Sequence, residues 1–228
     1  MATVLQLRRY PVKSMTGEVV DHLDIEPRGC AGDRVWSVRV ASRIATAKTS
    51  SNSFAPVPGL LELRSAWRDG RVAVRFPDGE EVYVDEPAGE AKLSEHFGRP
   101  LTFSRETERP HFDDGPVSLV GAQTVDAVAG ELGEQVEPVR FRPNIYFTGE
   151  VAFAEDSWLA REVRVGECVL RVTMLSPRCV MVDMATADLP ELGGLLQATG
   201  RINQACTGVI AEVVQPGRVR VGDEVTAV

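Results

Sequence analysis

Apolar residues recur along this chain in short alternating or clustered runs, separated by glycine- and proline-bearing turns. Residues 3–9 and 18–26 predict the first two strands. Gly29-Cys30-Ala31-Gly32-Asp33 predicts a turn, and residues 34–40 a third strand. Residues 72–76 and 81–84 flank Pro77-Asp78-Gly79, a hairpin signal. Residues 88–97 set Ala91, Leu93 and Phe97 among charges, as a short amphipathic helix does. Residues 105–117 are polar and carry Pro110, His111, Asp113, Asp114 and Gly115, so they read as a loop or linker. A helix over 124–132 places Val125, Val128, Ala129 and Leu132 on one face, with Gly133 as its stop. Strands follow near 143–148, 162–166 and 168–175, then a helix over 189–198 closed by Gly200. Two last strands, 209–214 and 219–228, straddle Gln215-Pro216-Gly217.

Many short strands with three short helices do not make the strand–helix alternation of a doubly wound sheet. The predicted class is mostly β (α+β), built of β-barrel-like modules decorated by helices. The polar stretch suggests two of them, residues 1–104 and 105–228. The 228 residues are 43% hydrophobic, enough to bury a real core. A net charge of −8 argues against non-specific nucleic-acid or anionic-membrane binding. No window approaches the ~18 apolar residues of a membrane span. Met1-Ala2-Thr3-Val4-Leu5 enters strand-like sequence without the order of a signal peptide, so the expected location is cytoplasmic.

The four cysteines, Cys30, Cys168, Cys179 and Cys206, form no CxxC pair and no zinc or iron–sulfur spacing. Cys30 and Cys168 read as small buried residues. Cys179 differs. It ends Leu175-Ser176-Pro177-Arg178-Cys179, just after an apolar strand. A thiol beside Arg178 suits an electropositive site, where a thiolate serves a soft metal or a sulfur transfer. His22, His96 and His111 come with no nucleophile motif, and the glycines form no GxGxxG or P-loop. Trp158 reads as core, Asp223 as a turn residue, and Glu155 with Asp156 as a solvated loop pair.

Seven dense segments stand in a definite order. They are Tyr10-Pro11-Val12-Lys13-Ser14, Gly32-Asp33-Arg34-Val35-Trp36, Thr46-Ala47-Lys48, Arg140-Phe141-Arg142-Pro143-Asn144, Ala154-Glu155-Asp156-Ser157-Trp158, Pro177-Arg178-Cys179 and Gly217-Arg218-Val219-Arg220-Val221-Gly222-Asp223. Their order and spacing resembles the MOSC family, named for the C-terminal domain of molybdenum cofactor sulfurases. The layout is the one with an N-terminal β-barrel module, as in bacterial MOSC proteins and the mitochondrial amidoxime-reducing component.

The resemblance implies a β-barrel fold that binds the molybdenum cofactor, a molybdopterin. It implies that Cys179 either ligates molybdenum or carries a persulfide. Matching the family's cofactor site selects Lys13, Ser14, Arg34, Arg142 and Asn144, with Arg140, Arg178 and Asp113 beside them. Cations and planar guanidinium donors suit a phosphate-bearing cofactor. Asp114 and Gly115 stand where the amidoxime reducers have Thr-Ser. The implied activity is reduction of small N-hydroxylated or N-oxygenated substrates, with electrons from a separate reductase or ferredoxin. The alternatives are a sulfur carrier fed by a cysteine desulfurase, and a non-catalytic molybdopterin carrier. The chain is too short for a desulfurase domain, so no pyridoxal phosphate is expected.

Overall fold

The computed structural model describes residues 1–228. The first half contains β1 (Ala2–Arg9), β2 (Glu18–Val20), β3 (His22–Glu26), β4 (Gly29–Cys30), β5 (Trp36–Val40), β6 (Arg43–Thr46) and β7 (Ala55–Pro56). It continues with β8 (Arg64–Arg68), β9 (Arg71–Arg75), β10 (Glu81–Tyr83), α1 (Pro87–Phe97) and β11 (Thr102–Arg105). The second half holds β12 (Val117–Gly121), α2 (Ala122–Leu132), β13 (Ile145–Phe147), β14 (Glu162–Val165), β15 (Cys168–Pro177), α3 (Leu195–Asn203), β16 (Cys206–Gln215), β17 (Gly217–Arg220) and β18 (Glu224–Ala227).

Seven strands close a barrel in the order β13-β12-β16-β15-β14-β18-β1, and β1 returns to β13. Closure removes free edges from this sheet, except where β2 extends it beside β1. Inward positions along the strands fill the barrel with Val4, Leu7, Leu119, Ile145, Phe147, Leu170, Val172 and Val209, each at most 2% exposed. Alternation along β1 explains its place: Val4 and Leu7 face in, while Leu5 is exposed. Thus the chain's first strand completes a barrel made otherwise by its second half. β3 likewise pairs with β17.

A second core lies between the β11-β5-β6-β7 sheet, the β10-β9-β8 sheet and α1. Val38, Leu60, Leu61, Leu63, Val74 and Leu93 are buried there. A third, smaller core joins α2 and α3 through Val125, Val128, Leu195 and Ala198. The segment after Cys179 wedges between these two cores. Met181 and Met184 pack on the second core, and Val182 is buried in the third. Backbone bonds continue the tie: Ala187 N donates to Leu61 O at 2.9 Å.

The mostly β, barrel-built class is as expected, as are the three helices. Several boundaries differ. Residues 117–121 form the fully buried strand β12, so the expected loop over 105–117 gives up its last residue, and 118–121, unassigned from sequence, are strand. With both faces buried, Ser118 included, the run lacks the exposed alternate positions that mark half-buried strands. The last helix covers Leu195–Asn203 rather than 189–198, with Gly200 inside it. Residues 18–26 break at Asp21 into β2 and β3, and 219–228 break at Val221-Gly222-Asp223 into β17 and β18. Strands β6, β7, β8 and β11 were not anticipated, and Gly29-Cys30, expected in a turn, pair with β3 as β4. Cys30 and Cys168 are fully buried, as predicted.

Candidate functional site

A solvent-open cleft of about 680 Å³ lies at one end of the barrel. Arg34 from the first half faces Asp113, Asp114, Gly115, Arg140, Arg142, Arg178 and Cys179 from the second. Phe141, Met181, Val182 and Ile210 add an apolar wall. Cys179 is half-buried, in extended backbone just before a 3-10 turn over Val180–Val182. Strand β15 carries the chain to this point, and its partner β16 begins opposite, with Cys206 in register with Pro177.

Tyr10 organises two of the arginines. Its ring is fully buried, with the Arg34 guanidinium 5.0 Å and the Arg142 guanidinium 4.4 Å from its centroid. Such contacts are attractive through the ring quadrupole. The Tyr10 hydroxyl donates to Pro143 O at 3.1 Å. Asp33, fully buried, accepts from Tyr10 N at 2.7 Å and pairs with Arg34. Arg142 Nη1 donates to Met15 O at 2.8 Å, and burial lowers its pKa to about 10. Ser14, Arg34 and Arg142 all adopt left-handed backbone, with φ of 66°, 51° and 53°. Each such non-glycine residue costs on the order of 1 kcal/mol, so the surrounding bonds over-determine this geometry.

A buried lysine lies beside them. Lys13 is 4% exposed and donates from Nζ to Asp113 Oδ1 at 2.6 Å and to His111 O at 2.9 Å. Burial pushes the lysine pKa down, against the pull of Asp113. The Asp113 carboxyl feels burial upward, but Lys13 outweighs it and holds the carboxyl below its usual range. Asp113 remains 57% exposed, so it bridges the buried cation and the cleft. The exposed Asp114 is shifted upward by burial and by Asp113.

Residues 94–226 match the family described as MOSC domain, and residues 1–106 match its companion, the MOSC N-terminal beta barrel domain. The chain belongs to the MOSC family. It is 28% identical over 136 residues to mitochondrial amidoxime-reducing component 1 of Mus musculus, covering 54% of this chain and 39% of that protein. The Xenopus laevis protein of the same name is 30% identical over 126 residues, covering 50% and 36%. The matches therefore span less than two-fifths of those relatives. Among solved structures, the YUAD protein from Bacillus subtilis shares the fold with a TM-score of 0.53 at 16% identity, over 99% of this chain and 94% of that one.

In this MOSC protein the residues anticipated from sequence divide into two groups. Arg34, Asp113, Arg140, Arg142, Arg178 and Cys179 line one cleft. Lys13 meets it through Asp113, while Ser14 and Asn144 are buried outside the lining. Asn144 accepts from Ser118 N and Oγ at 3.1 and 3.0 Å, and its Nδ2 donates to Arg8 O at 3.3 Å. It thus joins β12, β1 and the approach to β13. Arg140 donates to Val182 O, Met184 O and Pro190 O, pinning the segment that follows Cys179. Arg178 donates to Phe141 O at 2.7 Å and to Thr207 O, and burial lowers its pKa to about 10.

Trp158 stacks on Phe147 at the barrel core, and Asp223 accepts Arg220 N at 2.7 Å in a turn, both as read from sequence. The solvated-loop reading of Glu155 fails. Glu155 is 1% exposed, and its carboxylate accepts Gly121 N and Thr124 Oγ1, each at 3.0 Å. It ties down the start of α2 from outside the helix, through the N–H of the capping residue Gly121 and the hydroxyl of Thr124. Tyr10 and Asp33, which position Arg34 and Arg142, were missed individually. Their signal was membership of the two dense segments that carry Lys13 and Arg34.

Proposed function

We propose that this protein binds the molybdenum cofactor in the cleft and reduces small N-hydroxylated or N-oxygenated molecules there. The observation that carries this reading is one cleft holding Cys179 together with Arg34 and Arg142. Its support from comparison is MOSC membership and the likeness to proteins named amidoxime-reducing components. The residues present fit the group. No cluster of three His, Cys, Asp or Glu is placed to hold a bare metal ion, so a metal here must arrive with most of its own ligands. A single half-buried thiol then completes the set, and sulfur is a suitable ligand for a soft centre.

In this reading Arg34 and Arg142, which line the cleft, would hold the cofactor's phosphate by charge-assisted bonds, Lys13 would act from behind Asp113, and Ser14 and Asn144 shape the backbone that presents them. When bound, the cofactor supplies two-electron oxygen-atom chemistry. The chain's own residues orient it: Cys179 fixes its position, Arg178 and Arg140 hold the Cys179 segment, and Asp113 faces it from the Lys13 side. Electrons come from a separate donor protein of the reductase or ferredoxin class. The test is Cys179→Ala in protein from a cofactor-competent host, assayed with a reducing donor and an N-hydroxylated base. Loss of reduction with unchanged circular dichroism is expected; full activity would sink the proposal.

A further inference from the structure

Helix α3 begins where no local side chain can finish it. Its first amides have no partner within the helix, as at every helix start. The residue before it is Gly194, in left-handed backbone at φ 88° and with no side chain to accept them. Leu195 is fully buried, which also withholds water from its amide. The acceptor is Asp183, whose Oδ1 takes Leu195 N at 2.7 Å and Leu196 N at 3.3 Å. The same residue closes the turn that follows Cys179. Asp183 N donates to Val180 O at 3.0 Å, while Val182 N donates to Cys179 O at 3.1 Å. Cys179 is therefore held from two sides. Before it, Arg178 N donates to Ala205 O at 2.7 Å. After it, the turn is fastened to α3 through one carboxylate. Arg140 reaches this turn only through Val182 O and Met184 O, each at 3.4 Å, the long end of hydrogen bonding.

We propose that Asp183 is a positioning residue for the Cys179 thiol. It acts through the Val180–Val182 turn and not by touching the thiol. The packing of α3 on α2 supplies the fixed point, where Leu195 and Ala198 share a core with Val125, Val128 and Val182. The carboxylate carries that fixed point to a turn whose own bonds are few, and the half-buried thiol keeps its place in the cleft wall. Bonds from amides to a carboxylate oxygen are charge-assisted, and a carbon side chain cannot replace them. An amide oxygen at the same atom position keeps the geometry with less charge. Any effect on cofactor retention rests on the reading above; the fixing of the thiol does not.

The test is the rate at which iodoacetamide alkylates each thiol of the full chain, read by mass spectrometry of its peptides. Protein from a host that makes no molybdenum cofactor keeps Cys179 free in every sample. Cys206, half-buried like Cys179 and lying past the far end of α3, is the internal reference. A loosened turn exposes the Cys179 thiol, so Asp183→Ala is expected to raise the Cys179-to-Cys206 rate ratio by about three- to ten-fold. Asp183→Asn stays within about two-fold of the wild type. Asp183→Ser, whose oxygen stops one bond short, falls between them and carries the test if the Ala variant does not fold. Glu155→Ala removes the equivalent tie at the start of α2, yet leaves the ratio at its wild-type value. An unchanged ratio in the Ala and Ser variants, an equal rise in Glu155→Ala, or no rescue by Asn would overturn the proposal. Molybdenum is determined on the same variants from a cofactor-competent host. The expected order with no molybdenum in the wild type upholds the positioning role and counts against the cofactor reading; molybdenum in the wild type with an unchanged ratio does the reverse.

Discussion

Replacing Tyr10 separates two roles that one side chain performs. Tyr10→Phe keeps the ring and removes only the hydroxyl bond to Pro143 O. A buried carbonyl then loses its donor, at about 1–2 kcal/mol. Tyr10→Leu removes the same bond and also both guanidinium–ring contacts, at 5.0 and 4.4 Å. Each contact contributes about 1–2 kcal/mol when largely desolvated, and lost packing adds about 1 kcal/mol. The expected total is ~4–7 kcal/mol. For a chain of this size that separates the two variants by several degrees in Tm. Urea unfolding at pH 7.5 gives the free energies directly. Arg142→Met in the wild-type, Phe and Leu backgrounds completes the cycle, with coupling of about 1–2 kcal/mol that disappears only in the Leu background. A Leu variant within about 1 kcal/mol of the Phe variant would refute the claim that the ring holds the two arginines.

Glu155→Ala leaves Gly121 N and the Thr124 hydroxyl without their acceptor and is expected to cost about 2–4 kcal/mol, read as a lower Tm. Glu155→Gln costs less. Burial raises the Glu155 pKa, so the ionised form opposes folding, and wild-type stability falls as pH rises from the unfolded value of 4.5 through the higher folded one. The Gln variant lacks that slope. His111 is buried, with Nδ1 unpartnered, and burial lowers its pKa below 6.5. Its contribution to stability is therefore full above pH 6.5 and is lost as pH falls from there through the folded value. His111→Gln is expected to flatten that limb in melting curves taken from pH 7.5 to 5; an unchanged limb would contradict it. Gly115→Ser drives a side chain against Ile210 and is expected to cost about 1–3 kcal/mol, part of which Ile210→Ala recovers in the double variant.

The fold was legible where periodicity was clear and hidden where burial was complete. The alternation of β1 and the one-sided face of α2 announced both elements. β12 was hidden because every one of its residues is buried, so no polar face marked it as a strand. The role of Glu155 was hidden for a related reason. Its partners are a backbone N–H and a hydroxyl more than thirty positions away, and only the tertiary fold brings them together. Six of the predicted site residues do converge on one cleft, because spacing in the dense segments reflects a fixed arrangement at one end of the barrel. Tyr10 lay inside such a segment, yet a tyrosine between a strand and a proline carries no sign of two arginines packed against its faces. The commitments of Arg140 and Arg178 to carbonyls were equally unreadable, since they depend on where the chain turns after Cys179.

The most direct test of the central claim is the molybdenum content of the purified protein from a cofactor-competent host, beside Cys179→Ala. Close to one molybdenum per chain in the wild type, lost in a variant with unchanged Tm, is the expected result. Molybdenum retained in the variant would contradict Cys179 as the ligand. No molybdenum in either, with cyanide-labile sulfur on Cys179, would contradict the cofactor site itself and assign the thiol to sulfur transfer.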